Sequence, residues 1–332
     1  MEIAGKKIGS THPTFIIAEG GLNHNGDIKL AKKMIDEAAS CGADAIKFQT
    51  YKTEEFVTRS NPYFDLFKNV ELSYEDFGEL KKYSEDSEII FFSTPFDIES
   101  ANYLKEISVP CFKIASSDLT NMSLIKHIAK MKTPIIISSG LAIMQEIEEA
   151  INWCLFEGNK EVALLHCVSN YPTLPEEVNL SAMNIMRRKF NVPIGYSDNG
   201  ESTLVDLVAV SMGAEIIEKH FTLDKKLPGP DHSFSIDPQG LKNLISQIRL
   251  IEKMKGDGIK LPQPSEVAAR QIIRKSITAR RDMKKDEMLA IDMISIKRPE
   301  GGIEPKYLNQ IIGMKINTDI KKDSPIHWYE IY

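Results

Sequence analysis

The chain has 332 residues, a formal net charge of −6, 42% hydrophobic and 27% charged residues. This is the balance of a globular protein with room for one large domain and a small one, and without a long basic run it argues against a nucleic-acid groove. No apolar run approaches the roughly 18 residues of a membrane span, and Met1-Glu2-Ile3-Ala4-Gly5-Lys6-Lys7 lacks the basic-then-apolar pattern of a signal peptide. A cytoplasmic protein is the expectation.

Eight short apolar runs recur, at 15–18, 45–48, 89–92, 111–114, 134–137, 162–165, 192–195 and 215–217, each ending in polar or glycine-rich residues. Continuous rather than alternating hydrophobicity is expected of parallel strands covered on both faces. Helical patterns lie between the runs. The first, 28–39, repeats its apolar residues at three and four and ends at Cys41-Gly42; others are 100–106, 123–130, 145–154, 203–212 and 240–254. Eight strand–helix units match an α/β fold of the (β/α)8 TIM-barrel type. A doubly wound open sheet is the rival, but no GxGxxG follows the first run.

Near Lys255 the pattern changes. Gly256-Asp257-Gly258-Ile259-Lys260-Leu261-Pro262-Gln263-Pro264-Ser265 reads as a linker with two glycines and two prolines. Short β-like pieces follow at 276–279, 294–299 and 314–316. The expected domains are a catalytic barrel over 1–255, a linker over 256–269 and a small, mostly β domain over 270–332. Cys41, Cys111, Cys154 and Cys167 have no metal-ligand spacing, and the first, second and fourth sit in apolar or small-residue contexts as buried thiols.

A barrel carries its working residues at the C-terminal ends of its strands. Those ends read Glu19-Gly20-Gly21-Leu22-Asn23-His24-Asn25-Gly26, Lys47-Phe48-Gln49-Thr50, Ser93-Thr94-Pro95-Phe96, Lys113-Ile114-Ala115-Ser116-Ser117-Asp118 and Ser138-Ser139-Gly140. The rest are His166-Cys167-Val168-Ser169-Asn170-Tyr171-Pro172, Tyr196-Ser197-Asp198-Asn199-Gly200 and Glu218-Lys219-His220. Lysines and serines give charge-assisted and hydroxyl hydrogen bonds, and glycines expose backbone N–H groups, so the set suits a small phosphorylated or carboxylated substrate.

Taken together with Phe221-Thr222 and Gly229-Pro230-Asp231-His232, these ordered motifs resemble the sialic acid synthase family. Lys297-Arg298-Pro299 with Gly301-Gly302-Ile303 resembles its C-terminal antifreeze-like (SAF) domain. The resemblance implies condensation of phosphoenolpyruvate with an open-chain 2-acetamido sugar, releasing phosphate by C–O cleavage. It also implies a divalent metal, manganese or magnesium, and a domain-swapped homodimer in which Arg298 reaches the partner's substrate.

By position, the resemblance assigns Lys47, Lys113, Ser116, Ser138 and Gly140 to phosphoenolpyruvate, with Ser197 also facing substrate. Glu19, Asp118, Tyr171 and Asp231 fall to the sugar, the three carboxylates being the catalytic candidates. Glu218 is open between pairing with Lys219 and pairing with another neighbour. His220 matches one metal ligand. Where the family has Ser-Asp-His this chain has Ser197-Asp198-Asn199, a departure that makes Asn199 the other candidate ligand, with His24, His166 and His232 as substitutes.

The resemblance leaves the expected sugar open between N-acetylmannosamine and a 2,4-diacetamido-2,4,6-trideoxyhexose of the legionaminic or pseudaminic line. The alternatives are a sugar-phosphate-type condensing barrel and a non-catalytic carbohydrate-binding relative.

Overall fold

The computed structural model describes every residue from Met1 to Tyr332 and divides into two compact units, Met1–Gly256 and Asp257–Tyr332. A small antiparallel hairpin, β1 (Glu2–Ile3) with β2 (Lys6–Lys7), opens the first unit. The apolar runs then become eight parallel strands: β3 (Phe15–Gly21), β4 (Ala45–Thr50), β5 (Ile90–Pro95), β6 (Phe112–Ile114), β7 (Ile135–Ser138), β8 (Val162–Cys167), β9 (Ile194–Asp198) and β10 (Ile216–His220). They close into a barrel in sequence order, β10 pairing back onto β3. Nearly every strand residue is buried, as expected when helices cover one face and packed side chains fill the other.

Helices α1, α4, α5, α6 and α10, whose ranges follow, start where a side chain satisfies a free backbone N–H group. Asp27 accepts from Lys29 N at 2.8 Å to begin α1 (Ile28–Cys41), which buries Ala31, Met34, Ile35 and Ala38 and stops at Gly42, φ 87°. Between β4 and β5 lie α2 (Thr53–Phe56), α3 (Phe64–Val70) and α4 (Tyr74–Asp86). Further round are α5 (Ile98–Glu106), α6 (Met122–Lys130), α7 (Met144–Phe156), α8 (Ser181–Lys189), α9 (Leu204–Ser211) and α10 (Pro238–Lys255). No helix is long and apolar enough to cross a membrane.

The sequence patterns missed α4 and α8. A signal for α4 was present: the Ser73 hydroxyl accepts from Asp76 N at 3.1 Å while the Asp76 carboxylate accepts from Ser73 N at 2.9 Å. β9 starts two residues later than its apolar run, after Pro193, which has no N–H to give the ladder. All four cysteines are free and buried.

In the second unit the stretch read as a linker is partly helical. Pro264 opens α11 (Pro264–Ile273), where Glu266 accepts from Gln263 N at 2.8 Å. β11 (Ser276–Ala279) pairs antiparallel with β12 (Ile294–Lys297). The third β-like piece forms no strand and makes only isolated bridges, Met288 to Lys315 and Ile316 to Ile331. Ile277, Met283, Ile303, Ile311, Ile320 and Ile326 give this unit an apolar core of its own.

Candidate active site

Side chains alternate along a strand, and β10 uses that alternation to separate two charge clusters. Glu218 and His220 face a cavity of about 660 Å³ within the first unit, whereas Lys219 points to the opposite side of the wall. Glu19, Lys47, Lys113, Ser116, Ser138, Tyr171, Ser197, Asn199, His220 and Asp231 all line this cavity. Its size suits a small metabolite.

Glu218 links the two lysines. Lys47 Nζ lies 2.6 Å from Glu19 Oε2 and 3.9 Å from Glu218 Oε2, and donates to Thr94 Oγ1 at 3.0 Å. Lys113 Nζ donates to Ser138 Oγ at 2.6 Å and lies 3.5 Å from Glu218 Oε1, which also accepts from Ser197 Oγ at 2.9 Å. Each buried charge is therefore paired, the condition under which burial is tolerated. Glu218 pairs with these lysines and not with its neighbour Lys219.

Burial pushes the Glu19 carboxyl up to about 7, against the pull of Lys47. For Glu218 burial acts the same way, but Lys113 and Lys47 outweigh it and hold the group below its usual value. Burial lowers the Lys113 ammonium, only partly offset by Glu218. At Lys47 burial is overcome by Glu19 and Glu218, and its affinity for the proton rises. The two lysines differ because Lys47 contacts both Glu19 and Glu218, whereas Lys113 contacts Glu218 alone and is further lowered by the Lys47 charge.

The Ser116 hydroxyl accepts from Gly140 N at 3.0 Å. A Cβ at residue 140 would come 2.7 Å from that hydroxyl oxygen, so only glycine permits the approach. Gly140 itself stands behind Ser116 and does not line the cavity.

His220 is held between rings, with Phe234 at 5.2 Å and Tyr171 at 5.8 Å between centroids, both edge-on. Burial, reinforced by Lys47, pushes its imidazole down to about 3, so the ring is neutral. Its buried Nδ1 has no hydrogen-bond partner and lies 4.0 Å from Asp231 Oδ2. Burial also pushes Asp231 up to about 6. Asn199 spends its amide donor on Val168 O at 2.7 Å and Cys167 Sγ at 3.5 Å, leaving its amide oxygen without a protein donor. One imidazole nitrogen with hard amide and carboxylate oxygens fits manganese or magnesium, the remaining positions going to water and substrate oxygens. No group of three or more His, Cys, Asp or Glu side chains converges to hold a metal.

Several expected residues lie elsewhere. Asp118 is half-buried but outside the cavity lining, accepting from Asn121 Nδ2 at 3.0 Å and Ser117 Oγ at 3.2 Å in its own turn. His24, His166 and His232 do not line the cavity and serve structure: His24 accepts from Gly26 N at 3.1 Å, His166 bonds Val178 O at 2.7 Å, and His232 bonds Thr222 Oγ1 at 2.7 Å. Arg298 is an exposed residue of the second unit, just past β12. The sequence reading also missed the aromatic flank of the cavity, formed by α2, α3 and Phe96, because a ring in a short helix looks like ordinary core.

Comparison with known proteins places the chain in a family. Residues 34–260 match the NeuB family and residues 274–331 match the SAF domain. The chain belongs to the NeuB family. It is a transferase of the acid-synthase type with a C-terminal SAF domain. A Legionella pneumophila N,N'-diacetyllegionaminic acid synthase is 40% identical over 98% of this chain and 97% of that protein. The Homo sapiens N-acetylneuraminate-9-phosphate synthase is 33% identical over 97% and 94%. The crystal structure of an N-acetylneuraminic acid (sialic acid) synthetase from Leptospira borgpetersenii superposes with a TM-score of 0.78 at 43% identity, over 81% of this chain and 94% of that one.

Proposed function

We propose that this NeuB family protein condenses phosphoenolpyruvate with the open-chain aldehyde of a 2-acetamido sugar, giving a nonulosonic acid and inorganic phosphate. The observation that carries the reading is the pair of buried lysines, Lys47 and Lys113, flanking Glu218 at the cavity floor. Two ammonium groups with the hydroxyls of Ser116, Ser138 and Ser197 form a cradle for a small, multiply charged anion.

In the reaction C3 of phosphoenolpyruvate forms the new bond to the aldehyde carbon, whose oxygen takes up a proton. Water adds at C2, and the C2–O bond breaks with its electron pair leaving on phosphate. Lys47 and Lys113 bind the phosphate and carboxylate and neutralise charge on the departing group. Glu19, titrating near 7 beside Lys47, is the carboxyl placed to move a proton at neutral pH. Tyr171 and Asp231, which line the same cavity, would contact the sugar. A divalent ion, manganese or magnesium, held by His220 and Asn199 would supply Lewis-acid polarisation of the aldehyde oxygen. A pair of chains, the SAF domain of one covering the barrel mouth of the other, would bring Arg298 to the sugar's acyl group.

The test is phosphate release from phosphoenolpyruvate with a panel of acetamido sugars and arabinose 5-phosphate, each with manganese, magnesium or chelator. Metal-dependent release with an acetamido sugar is the expected result. Release with arabinose 5-phosphate alone would move the protein to the sugar-phosphate class.

A further inference from the structure

One buried charge is left over on the outer side of the barrel wall. Helix α9 is otherwise apolar, and Asp206 is its only charged residue. Asp206 lies on the buried face with Ala209 and Val210, its side chain inaccessible to solvent. Neither of its carboxylate oxygens has a hydrogen-bond donor. The cation facing it, Lys219 Nζ of β10, is 3.8 Å away and already donates to the Asp198 carboxylate and to Gly200 O at 2.6 Å.

If all three groups were ionised, Asp198, Asp206 and Lys219 would leave one negative charge unpaired in a site closed to water. Binding a proton relieves that cost. Asp198 is not where the proton goes, because three donors favour its charged form. They are Lys219 at Oδ2, and Gly200 N at 2.9 Å and the Tyr196 hydroxyl at 3.2 Å, both at Oδ1. Burial and the Asp198 charge instead push the Asp206 carboxyl well above its usual value, against the pull of Lys219. Asp198 lies within hydrogen-bond reach of Asp206, and as a carboxylate it can accept but not donate. Behind Tyr196 the remaining titratable group is His166 of β8, 5.9 Å away between ring centroids, which burial holds below its usual value.

We propose that Asp206 is a positioning residue: as a neutral acid it donates to Asp198, and together with Lys219 it fixes the turn 198–200 that carries Asn199. Its effect on the cavity rests on the reading of Asn199 as a donor to the divalent ion. One proton then ties α9 to the wall behind the proposed metal site.

The test compares the full chain with Asp206→Asn, which keeps a neutral donor, and Asp206→Leu, which keeps similar bulk without one. Residue 206 ionises near 3.8 in the unfolded chain and well above that in the folded one, so above pH 3.8 unfolding releases a proton. Between pH 5 and pH 7 the folded-to-unfolded ratio of the native protein should fall by about tenfold per pH unit relative to Asp206→Asn, read from urea unfolding. Parallel curves for the two proteins would overturn the neutral acid. Manganese binding to chelator-treated protein, read by electron paramagnetic resonance of the free ion, should be unchanged in Asp206→Asn. In Asp206→Leu it should weaken by about tenfold, the lower end of what losing a ligand's supporting partner costs. Unchanged affinity in a folded Asp206→Leu protein would overturn the positioning role. A tenfold loss in Asp206→Asn would overturn it too, and keeps that role open to refutation should Asp206→Leu not fold. If the native protein binds no manganese, the metal reading fails and the positioning role falls with it, while the urea comparison still decides the proton.

Discussion

Lys219 and Asp198 form an ion pair on the side of the barrel wall facing away from the cavity, with both side chains essentially inaccessible to solvent. Lys219 Nζ also donates to Gly200 O at 2.6 Å and lies 3.8 Å from Asp206 of α9. Asp198 Oδ1 accepts from Gly200 N at 2.9 Å and from the Tyr196 hydroxyl at 3.2 Å. These bonds hold the residues on both sides of Asn199, so the outer cluster sets where Asn199 enters the cavity.

Removing the ammonium should therefore be costly. Lys219→Met leaves the Asp198 carboxylate buried without its partner and is expected to lower stability by about 3–5 kcal/mol, the usual cost of breaking a buried pair from one side. Denaturant unfolding of the full chain measures it. A loss below about 1 kcal/mol, the worth of an exposed pair, would show that the cluster is solvated in solution.

At the floor, Lys113→Met removes one of the two cations proposed to meet phosphoenolpyruvate and leaves Glu218 with Lys47 alone. The expected outcome is a rise in KM for phosphoenolpyruvate of at least about tenfold, since a charge-assisted hydrogen bond contributes about 1.5–3 kcal/mol. The KM for the sugar should move less. Steady-state kinetics varying each substrate in turn separates the two, and a selective effect on the sugar would reassign Lys113.

The barrel was legible because its strands are nearly unbroken apolar runs whose burial on both faces leaves a one-dimensional trace. The site was legible where a residue's position at a strand end settled its direction, as with Lys47 and Lys113. It stayed open where direction depends on parity along the strand: Glu218 and Lys219 are adjacent, yet one meets the cavity lysines and the other meets α9. Counting by twos from His220 would have put Glu218 inside and Lys219 out. Asp118 and the three extra histidines could not be settled that way, because turn geometry and partners distant in sequence decide them, as when His24 packs 5.8 Å from the Phe48 ring. The aromatic flank was invisible for a further reason: helices as short as α2 and α3 have no periodicity to read.

Glu19 should leave a signature in stability as pH changes. Its folded value of about 7 lies above its ordinary 4.5, so below both values folded and unfolded chains alike hold the proton. As pH rises from 4.5 to 7 the unfolded chain releases the proton first, and this group's contribution to stability falls across that window. Glu19→Gln cannot titrate and should lose that part of the slope. Urea midpoints at pH 5 and pH 7.5 compare the two proteins; parallel changes would mean that Glu19 titrates normally.

Asn199 gives the last prediction. Its amide oxygen has no protein donor and its amide nitrogen is fixed on Val168 O, and the residue lines the same cavity as His220. An imidazole there would be a stronger donor to a divalent transition ion than an amide oxygen. Asn199→His is expected to tighten manganese binding by about tenfold or more, roughly the 1.4 kcal/mol that separates one decade of affinity, and Asn199→Ala to weaken it. Electron paramagnetic resonance of free manganese, titrated into chelator-treated protein, reads both without requiring turnover. Equal affinity in all three proteins would place the ion away from Asn199 and leave His220 with Asp231, 4.0 Å away, as the protein donors to consider.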